Sequence, residues 1–166
     1  MRSQLLSWLL ALAIRPTDRV EPPEARSTRL EIVADAILTA SGGDPQLAAA
    51  LAVDGAGETG YSLAWGNCQC RGQECDFGRA LGYWQHHLRH SEPLSARETL
   101  CGTQSPQVTI GAERAARYLR GCFRGDQDCL ARRFALLGGI VVHERVPVWA
   151  MDRAIRTVRL AERLKE

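Results

Sequence analysis

No apolar run in this 166-residue chain reaches the ~20 residues that span a bilayer, which argues against an integral membrane protein. Charge of one sign is lacking too. The formal net charge is only +2, both signs are spread along the chain, and no basic patch of the kind nucleic-acid binders carry stands out. There is no internal repeat and no low-complexity segment. No Ser-His-Asp arrangement and no phosphate-cradling glycine loop can be read. Lysine is almost missing: the basic residues are arginines apart from Lys165. Such usage fits a GC-rich genome, although a planar guanidinium also grips carboxylates well.

What is present suits one globular domain. Hydrophobic residues make up 45% and charged residues 24%, and the length is enough to bury a core without a second domain. Six cysteines, at 68, 70, 75, 101, 122 and 129, crowd the middle of the chain. Their even count fits a disulfide framework formed outside the cytoplasm, with 15 pairings open. Zinc fits less well, because Cys68-Gln69-Cys70 and Cys70 to Cys75 do not match the usual knuckle spacings. Cys122 and Cys129 are close enough to staple a short inter-helix loop.

The first residues allow two readings. Arg2, the apolar stretch to Leu10 and Ala11-Leu12-Ala13 imitate a short signal peptide with its cleavage site. The same segment also reads as an apolar helix packed on the domain. Residues 15–27 are polar, carry three prolines and read as a connector, so the domain proper is placed at 28–166.

A helix is expected from Thr28, with Glu31 completing a capping box and Leu30, Ile32, Val33, Ala36, Ile37 and Ala40 on one face. Gly42-Gly43 ends it. Asp44-Pro45 opens the next helix, whose face of Leu47, Ala48, Leu51 and Ala52 is small enough for close helix approach. This helix runs out near Gly55-Ala56-Gly57 and leaves Glu58 at its C-terminal end. Residues 60–79 read as loop or short hairpin. Helices return after Ser105-Pro106, with Val108, Ala112, Ala115, Ala116 and Leu119 as the face, again from about Asp128 to Leu137, and from Pro147 onward. Val148, Met151, Ile155, Val158 and Leu164 form the stripe of the last one. The fold class is α+β and predominantly α-helical, with a short irregular or β segment after the Glu58 helix.

Glu58 is the first candidate for chemistry. Glycoside cleavage needs a carboxylic acid that keeps its proton near neutral pH. A helix C-terminus, with its negative dipole end, and an apolar wall both favour the protonated form. A surface glutamate at a helix end is the plainer reading of the same residue. His86, His87 and His90 with Arg89 form a second cluster. Two of them have i, i+4 spacing, but no glutamate lies between them, and a polar rim explains them better than a metal site.

Three fragments in order carry a resemblance. Glu58-Thr59-Gly60-Tyr61 is followed by Ala80-Leu81-Gly82-Tyr83-Trp84-Gln85 and then by Ala115-Ala116-Arg117-Tyr118-Leu119. Together they resemble the soluble lytic transglycosylase and goose-type lysozyme group of the lysozyme-like superfamily, over roughly residues 28–139. The resemblance implies a lysozyme-like fold and cleavage of peptidoglycan glycan strands, extracytoplasmic and cofactor-free. Glu58 would be the catalytic acid, with Thr59, Tyr61, Tyr83, Trp84, Gln85 and Tyr118 positioning or walling the substrate.

The departures from the family pattern are specific. Thr59 stands where serine is usual, and Tyr83-Trp84 where Leu-Met is usual. The longer stretch between Glu58 and Gln85 holds Cys68, Cys70 and Cys75 and reads as a disulfide-stapled insertion at the cleft edge. The family's late Ala-Tyr-Asn-Ala-Gly, whose tyrosine lies against the catalytic glutamate, is replaced by Phe134-Ala135-Leu136-Leu137-Gly138-Gly139; the Tyr61 hydroxyl is one candidate to stand in. A hydrolase needs a second carboxylate to activate water. Asp76 is the candidate for it, ahead of Glu74, and solvated loop charges are the plainer reading of both. A single glutamate suits a transglycosylase, in which the sugar's own 6-hydroxyl attacks. The alternative from another class is a non-catalytic peptidoglycan-binding or assembly component on the same fold.

Overall fold

The computed structural model describes residues 1–70, 73, 79–87, 92, 95–143 and 145–165. It is mostly helical: α1 (Arg2–Leu10), α2 (Pro23–Ser41), α3 (Pro45–Glu58), α4 (Leu63–Gly66), α5 (Ala96–Leu100), α6 (Ser105–Leu119), α7 (Gln127–Leu137) and α8 (Val148–Leu164). Two short strands, β1 (Ala80–Leu81) and β2 (His86–His87), pair antiparallel with Ala80 opposite His87. The predominantly helical α+β class holds, and the strands fall just beyond the 60–79 stretch where a hairpin was expected.

The axis of the molecule is α3. Gln46 to Gly55 are all buried, because a helix apolar on every side has to be covered on every side. Its alanines let α2, α6 and above all α8 come close. Asp44 caps it as the sequence suggested, its carboxylate accepting from the Gln46 amide at 2.9 Å. Around α3, α6 packs on α2 and α7 on α8. The expected α6 face, Val108, Ala112, Ala115, Ala116 and Leu119, is buried throughout.

Two expectations are corrected. First, α2 begins at Pro23, one turn and more before Thr28; a proline at its first turn needs no amide partner there. The Thr28 hydroxyl instead donates back to the Glu24 carbonyl at 3.0 Å. Second, the buried face of α8 is Ala150, Ala154, Thr157, Leu160, Ala161 and Leu164, while Val148 is 87% exposed. Bulk set the expected stripe, but close approach to α3 selects the small residues beside it.

The N-terminal segment packs as a helix. Leu5 and Leu9 of α1 are completely buried in the main core, and Arg2 binds Asp35 of α2 through two nitrogens at 2.6 and 3.0 Å. The connector is not merely a connector either, because Asp18 within it is buried. Among the described residues the disulfides Cys68–Cys101 and Cys122–Cys129 are formed. The second staples the α6–α7 loop. The first ties the segment after α4 to the end of α5. No described helix is long and apolar enough to cross a membrane.

Candidate active site

Glu58 is the last residue of α3, and its side chain, 29% exposed, borders a cleft of about 1010 Å³. The opposite walls come from Gln85 and His87 of the β1–β2 hairpin, from Arg114, Arg117 and Tyr118 of α6, and from Leu136 to Gly139 where α7 ends.

The turn after Glu58 is held from below. Thr59 is fully buried, its hydroxyl shared between the Gly55 and Tyr83 carbonyls at 3.0 and 3.1 Å. Gly60 and Tyr61 then both take positive φ, 59° and 52°. For tyrosine that conformation costs about 1 kcal/mol and needs external support. Arg29 supplies it by donating to the Tyr61 carbonyl. Asp18 completes the clamp, accepting from the Ser62 hydroxyl at 2.9 Å and the Leu63 amide at 3.0 Å. Glu21 in turn takes Arg29 through both oxygens, at 2.8 and 2.6 Å.

Three aromatic rings lie under this turn. Tyr61, Tyr83 and Trp84 meet edge to face, with centroids 5.4–6.2 Å apart. The Tyr61 hydroxyl donates to the Leu51 and Ala52 carbonyls at 3.0 and 3.1 Å, and the Trp84 indole donates to Leu51 at 3.0 Å. Burial raises the Tyr61 hydroxyl well above its ordinary pKa. It faces the core and does not stand in for the family's late tyrosine. Thr59, Tyr61 and Tyr83 therefore lie beneath the cleft rather than on its wall. Trp84 is 2% exposed, yet it borders the cleft floor. Gln85 and Tyr118 are half-buried on the wall itself. Asp76 and Glu74 lie outside the described residues, as do His90 and Arg89. His86 sits on β2, buried, its Nε2 2.8 Å from the Gly111 carbonyl. Burial above all pushes that imidazole down to about 4, so it is neutral at physiological pH.

Four residues about Glu58 were missed in the sequence. Arg153, from α8, places one nitrogen, Nη1, 2.5 Å from Glu58 Oε1 and 2.8 Å from Asp54 Oδ1. Asp54 lies one turn before Glu58 on α3 and is 1% exposed, and its second oxygen has no partner. Burial first, and then the Glu58 charge, push its carboxyl up to about 7 against the pull of Arg153. Gly57 makes the arrangement possible, because a Cβ there would lie 2.6 Å from the Arg153 Nε. The Trp149 ring supports the guanidinium from the other side at 4.7 Å. Asp54 had a signal, being the one charge in the otherwise apolar run from Leu47 to Gly57. Arg153, one arginine among many, had none.

A second cleft carboxylate is present in Glu92, but Arg114 holds it at 2.6 Å. Among the described residues no cluster of histidines, cysteines and carboxylates is placed to bind a metal ion. Comparison with protein-family models, curated proteins and solved structures finds no match to this chain.

Proposed function

We propose that the chain cleaves peptidoglycan glycan strands, with Glu58 as the acid that protonates the glycosidic oxygen between the two amino sugars. The observation that carries this reading is the place of Glu58: a carboxyl at a helix end, opening on a cleft large enough for a saccharide and bordered by Trp84, Gln85 and Tyr118. Aromatic and amide groups suit sugar faces and hydroxyls. Once the leaving sugar departs, the same carboxylate takes the proton from the 6-hydroxyl that closes on C1, giving a 1,6-anhydro product. That route needs a single carboxylate. It suits a cleft whose other described carboxylate, Glu92, is engaged by Arg114. Disulfide bonds and the lack of a long apolar helix are compatible with a workplace outside the cytoplasm.

Arg153 stands against acid catalysis as long as it grips Glu58. The reading therefore requires the guanidinium to lean toward Asp54 when a glycan enters. A second reading, glycan binding without cleavage, is favoured by that same ion pair and by Leu136 and Leu137 at the wall where the family has its tyrosine. Mass spectrometry of soluble products after incubation with purified peptidoglycan separates the two. Anhydro-ended muropeptides are expected from the native protein and none from Glu58→Gln. Reducing ends would point to a hydrolase, and equal release by both proteins would remove Glu58 from the mechanism.

A further inference from the structure

Asp54, Glu58 and Arg153 form a set with more acid than base. Two carboxylates compete for one guanidinium nitrogen, at 2.8 and 2.5 Å. Trp149 and the bare backbone of Gly57 leave the guanidinium room where both carboxylates reach it. The second oxygen of Asp54 is buried and unpartnered, an arrangement that costs free energy for a carboxylate and less for a carboxylic acid. Arg153 from α8, Glu58 from the same helix and the Tyr61 hydroxyl from the following turn are the charged or titratable groups that face Asp54. With both acids ionised the set carries an uncompensated negative charge, which adds to burial in holding the proton on Asp54.

Resting on the reading of Glu58 as the acid, we infer that Asp54 is a positioning residue acting through Arg153, competing for the guanidinium and so governing how readily Glu58 holds the proton it donates. An ionised Asp54 draws Arg153 toward itself and adds a like charge next to Glu58. Both effects favour the protonated Glu58. A neutral Asp54 leaves Arg153 to Glu58 alone. Asp54 has no route to the cleft and touches no substrate, so its effect falls on turnover and not on binding.

The coupling is read directly by carbon-13 carboxyl NMR titration of the native protein and of Glu58→Gln. In the native protein the Asp54 carboxyl is expected to titrate near 7, far above an ordinary aspartate. Removing the Glu58 charge frees Arg153 for Asp54, and the midpoint falls by about one pH unit. An Asp54 midpoint in the ordinary range, or one unmoved by Glu58→Gln, would overturn the inference whether or not the protein cleaves. In the wall-cleavage assay Asp54→Asn is expected to match the native protein below pH 7, where Asp54 is already neutral, to lower kcat about tenfold above pH 7 with KM unchanged, and so to erase the inflection near 7 from the pH profile. A merely structural aspartate would scale the profile without changing its shape. Coupling seen by NMR in a protein that releases no muropeptide would sink the cleavage reading and leave the Asp54–Glu58 coupling standing. Glu58-dependent cleavage with an uncoupled Asp54 would do the reverse.

Discussion

Two arginines flank the turn that follows Glu58, and each serves two carboxylates in opposite ways. Arg29, on the α2 side, meets Glu21 with two nitrogens on two oxygens, lies 3.9 Å from Asp18 and also donates to the Tyr61 carbonyl. Asp18 satisfies its own oxygens on Ser62 and Leu63. Arg153, on the α8 side, spreads a single nitrogen over Asp54 and Glu58 and leaves an Asp54 oxygen with nothing. The ratio of charges is the same, but the first cluster is closed and the second is under-supplied. A saturated network fixes one conformation, whereas an unsaturated one has a second arrangement within reach. The closed cluster carries the strained turn and the open one carries the candidate acid.

The largest effect should come from opening the closed cluster. Arg29→Met strands the buried Glu21 and Asp18 and releases the turn, and is expected to cost about 3–5 kcal/mol in chemical denaturation. Arg153→Met should cost less, about 1–2 kcal/mol, because Glu58 is partly exposed to water and Asp54 can take a proton. Equal losses would erase the distinction between the clusters.

Acid adds a separate effect that has to be kept apart. His86 titrates at about 4 in the fold against 6.5 when unfolded, so the unfolded chain binds its proton first. Stability should therefore drop by about 3 kcal/mol as pH falls from 6.5 to 4, and His86→Gln should flatten that slope. Asp54 has the opposite sign. Its folded pKa of about 7 exceeds the ordinary 3.8, so its contribution is present at low pH and is lost as pH rises through 7. Asp54→Asn is thus expected to be stabilised relative to the native protein by about 3 kcal/mol more at pH 8 than at pH 5, the difference building up as pH rises through 7. A variant that loses stability at pH 8 would show that the under-supplied cluster is a structural one after all.

The helical frame was open to reading because caps and glycines punctuate it: Asp44-Pro45 opens α3, Gly42 closes α2, and the α6 face repeats at helical spacing. The position of Glu58 at the end of α3 followed from the same signals. Harder to see was the depth of Thr59, Tyr61 and Tyr83. Aromatic and hydroxyl residues next to a candidate acid suit a binding wall and a buried support equally, and the positive φ at Gly60 and Tyr61 that shapes this turn has no signal in the sequence beyond the glycine. Arg153 comes from a helix some ninety residues away in the chain, and no local pattern signals its pairing with Glu58. The α8 stripe was legible in part: Leu164 is buried and Met151 and Val158 pack against the core, but the centre of the face is taken by Ala150, Ala154 and Ala161 because α3 lies so close.

The most direct test of the account compares native protein and Glu58→Gln side by side on insoluble peptidoglycan, measuring bound protein and released muropeptide in one experiment. The account predicts that the variant stays bound like the native protein and releases nothing, because the cleft is intact and only the acid is gone. Release by the variant at the native rate, or no binding by either protein, would contradict it.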